Sequence, residues 1–410
     1  MERVDAIIVG GGLAGGLAAL ALAGERLGIA LIDSEALAHV RDAAFDGRTT
    51  AIAYASARVF RRLGLWPAIE PYAEPIRDIL VADGRAPALG RAGASSAFHL
   101  HFDSRALKSG EPLGFIVENR ILRSAIYDAI GAEPSIRLIA PSRASDPDFG
   151  AGHASIALDD GQRIEAALII AADGKKSPLR AAAGIRVNAF DYPQTAIVTT
   201  VRHERPHNGV AQELFLPSGP FAILPMTDDR VSIVWTEKKA AAPAFLGLSD
   251  EGFLAELSAR MGDYLGPLSL AGPRFSYPLA LHLAQSFAAP RLALIGDAAH
   301  AIHPIAGQGY NLAVKDIAAL AETLGDAAGI GLDIGSMAVL TRYQRWRRFD
   351  SAILAFGTDT LNRLYSNDFP PLRLARDLGM GAVNAIGPLR QFFMRQAGAD
   401  LGRLPALMLP

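Results

Sequence analysis

Near the start of the chain stands Gly10-Gly-Gly12-Leu13-Ala14-Gly15, and far downstream stands IGDAAHAIHPIAGQGYNL, Ile295 to Leu312. Both are glycine turns between a buried apolar run and a helix, and both can bare main-chain N–H groups to an anionic or electron-rich ligand. In the first, Gly10 permits a tight turn, Gly12 lets a pyrophosphate approach the backbone, and Gly15 lets helix and strand pack closely. Asp33, ending the next apolar run, is placed to accept ribose hydroxyls; the alternative is a solvated strand-end acid. In the late turn Gly296-Asp297 follows a strand, Pro304 breaks the chain, and Gly307 and Gly309 expose backbone ahead of a helix expected near Asn311. A planar ring could lie against those N–H groups while Asp297 accepts from a sugar-alcohol hydroxyl. A third turn, AADGKKSPLR, offers Asp173 and Gly174, with Ser177 before Pro178 suited to a helix start. By itself it could be only a turn and a cap.

The elements that must carry these turns follow from hydrophobic periodicity. Val4 to Val9 is an unbroken apolar run, Gly15 to Gly24 reads as a helix and Ile29 to Asp33 as a strand, which makes one βαβ unit. Further runs near Ile136 to Ile139, Ala154 to Leu158 and Ala167 to Ala172 read as strands, and about Asn119 to Ile130 as a helix. From Gln194 to Thr236 apolar and polar residues alternate, the pattern of an antiparallel sheet with one covered face. RLALIG, residues 291–296, returns to the buried parallel type, so the first domain is discontinuous. The expected division is 1–72, 103–182 and 278–335 for a nucleotide-binding domain, 73–102 and 183–277 for a second domain, and 336–410 for a helical region. There Trp346, Phe349, Ile353, Phe356, Thr360 and Leu364 recur at helical spacing and are expected in the core.

Bulk properties narrow the chemistry. The chain has 410 residues, 50% of them hydrophobic, enough for two or three cores of roughly 150 residues each. Its net charge of −2 gives no pull toward nucleic acid. With no cysteine, thiolate metal sites and thiol catalysis are excluded, and redox chemistry must come from a bound cofactor. Val4 to Ala23 is apolar and about as long as a membrane span, but its five glycines at a turn and helix start argue against a span or a signal peptide. Cytoplasmic residence is the default expectation.

The three turns together resemble the signatures of FAD-dependent aromatic hydroxylases, the class A flavoprotein monooxygenases. Within that class DGRTTAIA, FLPSGPFAILPM followed by VSIVW, HPIAGQGYNL and the C-terminal run from YQRWRRFD to MRQAGA are similar to the ubiquinone-biosynthesis hydroxylase family over nearly the whole length. Tyr310 and AVKD depart from that family's more usual Leu and GLRD-like run. The resemblance implies an α/β fold with a Rossmann-like FAD-binding domain, a mostly antiparallel substrate domain like that of p-hydroxybenzoate hydroxylase, and a C-terminal helical region. It implies that one FAD is held at both ends: Gly10, Gly12, Leu13, Ala14, Gly15 and Asp33 at the ADP half, Asp297 at the ribityl chain, and Pro304 with the backbone of Gly307, Gly309, Asn311 and Leu312 at the pyrimidine edge, with Asp173 a further cofactor-binding residue. Arg48 in DGRTTA and Asn119 in VENRIL resemble flavin-contacting residues of the family; the plainer reading is a surface residue and a cap.

The implied activity is ring hydroxylation of a polyprenylated phenol by NAD(P)H and O2 through a C4a-hydroperoxyflavin. A helix N-terminus at the flavin N1–C2=O edge, worth roughly 0.3–1 kcal/mol exposed and up to about 2 partly buried, would favour the anionic reduced ring. Phe215, Phe221, Leu224 and Pro225 are candidate walls of an apolar substrate pocket, with ordinary core packing as the alternative for each. No second G-x-G-x-x-G follows a strand, so NAD(P)H is expected to bind only transiently. His300 and His303 form an H-x-x-H read as structural or flavin-proximal rather than metal-binding, and no catalytic acid or base is assigned, although His99, His101, His203 and His207 could approach a phenol. Competing readings are a flavin-dependent prenyl reductase, a hydroxylase of another small aromatic, and a catalytically silent FAD scaffold in a biosynthetic assembly. From Arg373 onward five Arg face two Asp, a local +3 interleaved with Phe392, Phe393 and Met394. That segment could meet a membrane surface, at the inner membrane, or partner proteins of ubiquinone biosynthesis; the alternative is a helical cap on the core.

Overall fold

The computed structural model describes residues 2–36, 45, 47–85, 94–107, 109–366 and 369–410. Asp46 of DGRTTA, Asn367 and Asp368 of the C-terminal run and residues 86–93 of the expected second domain lie outside them.

The apolar run at the N-terminus forms the strand Glu2–Val9, and the turn after it opens the helix Leu13–Gly24. On either side of Glu2–Val9, in parallel, lie Arg163–Ala171 and Ile29–Ile32; Ile136–Ile139 extends one flank and Leu292–Leu294 the other. The registers bring Val9 beside both Ile32 and Ala171, and Ala171 beside Leu294. Four carboxyl ends therefore align at one edge of this eight-stranded sheet. The chain leaves them through the turns at Gly10, Asp33, Asp173 and Gly296, the edge at which open α/β sheets bind ligands. Ile7, Ile8, Ile169, Ile170 and Leu294 are wholly buried, so the sheet's two faces are covered and the unbroken apolar pattern is explained.

The second sheet has nine strands and is antiparallel except where Val210–Leu216 runs parallel to Asp78–Arg85. Its strands alternate sharply. Ile197, Phe221, Ile223, Ile233 and Trp235 point to one face, where Phe253 and Leu257 of the helix Asp250–Met261 close a core. Ala196, Ala222, Leu224 and Val234 point to the other. The strand Phe275–Ala284 pairs along Val187–His203 in this sheet, so the expected boundary at 277/278 falls inside a strand of the second sheet. A third sheet of three strands is formed by Thr49–Ala53, Glu74–Ile76 and Gly114–Glu118.

The C-terminal region is helical, as Met337–Tyr365, Pro370–Ala385 and Gly387–Ala397. It caps the second sheet through a buried Arg376–Asp83 ion pair of 2.9 Å and through Met394, which packs with Ile76 and Phe102. The expected core stripe reaches a core only at its ends, where Trp346 and Leu364 are partly buried against core residues; Phe349, Ile353, Phe356 and Thr360 between them are exposed. Met337–Tyr365 buries instead the face bearing Tyr343, Arg347, Ser351, Ala355, Thr358 and Asn362, because that face meets buried polar partners elsewhere, Asp316 and Gln194 among them.

Candidate active site

The aligned turns enclose a cavity of about 770 Å3. Gly10 adopts φ +100°, and a Cβ there would lie 2.4 Å from the Ala172 carbonyl oxygen. Gly15 is tighter still, since its Cβ would lie 1.8 Å from the Gly10 oxygen. Gly12 differs: nothing stands within 4 Å of where its Cβ would be. It is the N-cap of Leu13–Gly24 and no side chain caps that helix, so its first N–H groups face the cavity without a side-chain acceptor. Such a terminus is a built anion site. Asp33 lines the cavity too; its carboxylate accepts from Gly11 N–H at 2.5 Å and Glu35 N–H at 2.7 Å, which fixes the side chain at the strand end. Tyr127, whose hydroxyl donates to the Gly11 carbonyl at 2.7 Å, braces the same turn and was not anticipated, because it sits on a different helix.

The second and third turns meet at the far side. Ser177 caps Pro178–Ala182 by accepting from Arg180 N–H at 3.0 Å. The Arg180 guanidinium then donates to the carbonyls of Lys175 and Ala298, tying one turn to the other. One Asp173 oxygen accepts from Leu179 N–H at 3.2 Å; the other is buried with no partner. Loss of water raises the carboxyl groups of both Asp173 and Asp297 above their ordinary values, and Asp297 opens onto the cavity.

Gly307, at φ +61°, begins the long helix Gln308–Gly329, again without a side-chain cap, while Gly309 has open space where a Cβ would be. The helix starts three residues before the expected Asn311. Asn311 itself is buried and turned to structural use: its amide accepts from Ala53 N–H at 2.9 Å and donates to Ala51 O at 2.8 Å. It pins the strand Thr49–Ala53 to the helix. Tyr310, the departure from the family pattern, donates its hydroxyl to Leu13 O at 3.2 Å and so links the late turn to the first.

Beneath the Asp297 turn lies a charged cluster that spacing could not reveal. Asp316 is fully buried; it accepts from Arg347 Nε at 2.8 Å, meets His300 Nε2 at 2.5 Å and accepts weakly from Gly296 N–H. Burial alone would raise the Asp316 carboxyl, but His300 and Arg347 more than offset it and hold it below the usual range. His303 is wholly buried with its ring edge-on to Tyr192.

Past Arg48 and Asn119, which line both spaces, a second cavity of about 500 Å3 opens under the free face of the antiparallel sheet. Asn119 accepts from the Thr50 hydroxyl at 2.7 Å, so its amide is held in place. Pro304, Gly307, Gln308 and Asn311 form one wall and Ala196, Val198, Ala222, Leu224, Val234 and Leu279 another. Of the four expected wall residues only Leu224 is there. Phe221 faces the opposite core with Trp235, Phe215 stacks on Tyr365 at 4.3 Å, and Pro225 is buried outside the cavity. Period-two alternation puts neighbours on opposite faces, so Leu224 and Phe221 could not both line it. Leu312 falls outside both cavities. None of His99, His101, His203 or His207 lines the apolar cavity; His101 meets Asp78 and His207 meets the Met226 carbonyl.

Two anion-facing helix termini, a strand-end carboxylate and a second carboxylate at the opposite end suit a long dinucleotide with a planar ring. Residues 3–348 match the FAD binding domain family, and the chain belongs to the FAD-dependent aromatic hydroxylases in their ubiquinone-biosynthesis group. It is 46% identical to the ubiquinone hydroxylase UbiL of Rhodospirillum rubrum over 97% of this chain and 90% of that one. It is 34% identical to the 3-demethoxyubiquinol 3-hydroxylase of Escherichia coli, covering 97% and 98%. In fold it is similar to the p-nitrophenol 4-monooxygenase PnpA of Pseudomonas putida, with a TM-score of 0.78 at 19% identity over 98% of this chain and all of that one.

Proposed function

We propose that this chain uses NAD(P)H and O2 to hydroxylate the aromatic ring of a polyprenylated phenol on the route to ubiquinone. The observation that carries the reading is the apolar cavity of about 500 Å3 that joins the nucleotide-sized cavity at Arg48 and Asn119, so that an aromatic guest lies next to the reacting end of the cofactor. FAD, when bound, supplies the acceptance of electrons from the nicotinamide and the activation of O2. The chain's own residues hold and shield it. Backbone N–H groups of Leu13 and Ala14 take the pyrophosphate, Asp33 the ribose, Asp297 the ribityl hydroxyls, and the start of Gln308–Gly329 the electron-rich edge of the ring. Ala222, Leu224, Val234 and Leu279 exclude water from the ring to be hydroxylated. No carboxylate or imidazole is assigned to proton transfer.

Among the described residues no helix is long and apolar enough to cross a membrane. A polyprenylated phenol partitions into the bilayer, so the enzyme is proposed to work from the cytoplasm as a peripheral protein at the inner membrane, beside other proteins of the pathway. The test is product analysis. FAD-loaded protein given NAD(P)H, O2 and a prenylphenol should yield the ring-hydroxylated phenol. A saturated prenyl chain would identify a reductase instead, and bound FAD that no prenylphenol helps NAD(P)H to reduce would leave only a scaffold.

A further inference from the structure

The apolar cavity is small for its guest. Its volume has to take the aromatic ring, and a chain of several isoprene units attached to that ring outgrows what is left. The hydrocarbon must leave by some route, and water is the costly one.

A third cavity, of about 270 Å3, lies among the helices Gln308–Gly329, Met337–Tyr365 and Gly387–Ala397. Leu312, Phe349, Ile353, Leu354, Phe392 and Ala399 give it apolar walls. It shares Gln308 and Asn311 with the substrate cavity, and Ala397 of the substrate cavity follows Gln396 of this one in the chain. The partition between the two is thus one side chain thick: Gln308 Nε2 donates to the Ala397 carbonyl at 3.0 Å, while Asn311 is held by Ala51 and Ala53. The charged residues of the groove are already paired, Lys315 with Asp350 at 3.0 Å and with the Leu401 carbonyl at 2.7 Å. What remains toward solvent is a rim of Phe349, Ile353 and Phe392, exposed by 69%, 54% and 51%. An apolar patch of this kind beside paired polar groups marks a binding surface.

We infer that this groove is the subsite for the polyprenyl chain, which passes Gln308 and lies along Leu312, Ile353 and Phe392 toward the rim. The inference rests on the prenylphenol reading above. It also accounts for Phe349 and Ile353, the two exposed apolar residues of Met337–Tyr365 that line the groove.

Two measurements test it. A prenylphenol carrying a diazirine at the far end of its chain, irradiated on the FAD-loaded protein, should label the segments 346–357 and 391–402. Labelling confined to other segments would overturn the subsite. Separately, the variants Ile353→Trp and Gln396→Trp fill the groove, and the ratio of kcat/KM for a long-chain over a single-prenyl phenol should fall by at least about tenfold, the loss of a few buried methylenes. An unchanged ratio would likewise overturn it. If the unaltered enzyme hydroxylates both phenols while these tests fail, the function stands and the subsite does not. If it hydroxylates neither, both readings fall together.

Discussion

Arg347 and Asp316, 2.8 Å apart and both fully buried, form the floor under the turn that carries Asp297. His300 completes the cluster from the turn itself. An ion pair so placed contributes little net stability as a pair, yet removing one member strands the other's charge in a dry site. The variant Arg347→Met should therefore cost about 3–5 kcal/mol in denaturant unfolding of the FAD-loaded protein. Adding Asp316→Asn to it should recover part of that loss, because the stranded charge is gone. A cost within a few tenths of a kcal/mol for Arg347→Met would refute the account.

The same cluster responds to acid with a definite sign. Asp316 is held below its ordinary range in the folded chain, so its contribution is present above the unfolded carboxylate value and is lost as pH falls through the lowered folded one. His303 acts over a higher window. Burial pushes it down to about 4, and the Asp359 charge only partly opposes this. An unfolded histidine titrates near 6.5, so between about 6.5 and 4 the unfolded state takes up a proton that the native state refuses, and roughly 3 kcal/mol is lost across that window. His282, also pushed down to about 4 by burial, adds a separate share. Because neither ring nitrogen of His303 has a hydrogen-bond partner, His303→Phe should fold at neutral pH and show a shallower acid slope. Denaturant midpoints measured between pH 7 and pH 4 decide it.

Two glycines of the first turn separate folding from binding. Gly15→Ala would drive a methyl to 1.8 Å from the Gly10 oxygen, and the strand and helix would have to part. It should unfold more readily by at least about 1–3 kcal/mol with or without FAD. Gly12→Ala meets only open space, so the apoprotein should unfold as the parent does while FAD binds at least about tenfold more weakly in a flavin fluorescence titration. Equal flavin affinity in Gly12→Ala and the parent would remove the pyrophosphate from that turn.

Leu224 and Phe221 should respond oppositely. Leu224→Trp intrudes on the substrate cavity, so flavin absorbance should persist while substrate-stimulated NAD(P)H oxidation is lost. Phe221→Ala hollows the core shared with Trp235 and should cost about 3–5 kcal/mol in stability with little change in KM. The reverse pattern would mean that the sheet presents its other face to the substrate.

Legibility in the sequence followed the range of the interactions. The βαβ start, the strands at 136–139 and 154–158 and the helix near Asn119 could be read locally, since each is a short apolar or periodic run bounded by turn residues, although Ala154–Leu158 pairs antiparallel with Arg163–Ala171 and not in the parallel core of the sheet. Alternation in 194–236 announced a one-sided sheet but carried no sign of which face would meet the site, and Phe215, Phe221 and Pro225 were misplaced for that reason. The stripe of Phe349, Ile353 and Phe356 had core periodicity without a core to enter, because Asp316, far away in the chain, draws the opposite face inward through Arg347. The side chain of Asn311 clamps Ala51 and Ala53, a pairing across 260 positions that no local pattern encodes.

The strand Leu292–Leu294 docks beside Arg163–Ala171, and the turn bearing Asp297 follows directly after it. A polypeptide still emerging from the ribosome thus exposes the nucleotide-facing half of its cavity well before the opposing half has been translated. Until residues 292–294 have been made, Arg163–Ala171 lacks its neighbour on that flank, and the cavity lacks its Asp297 side.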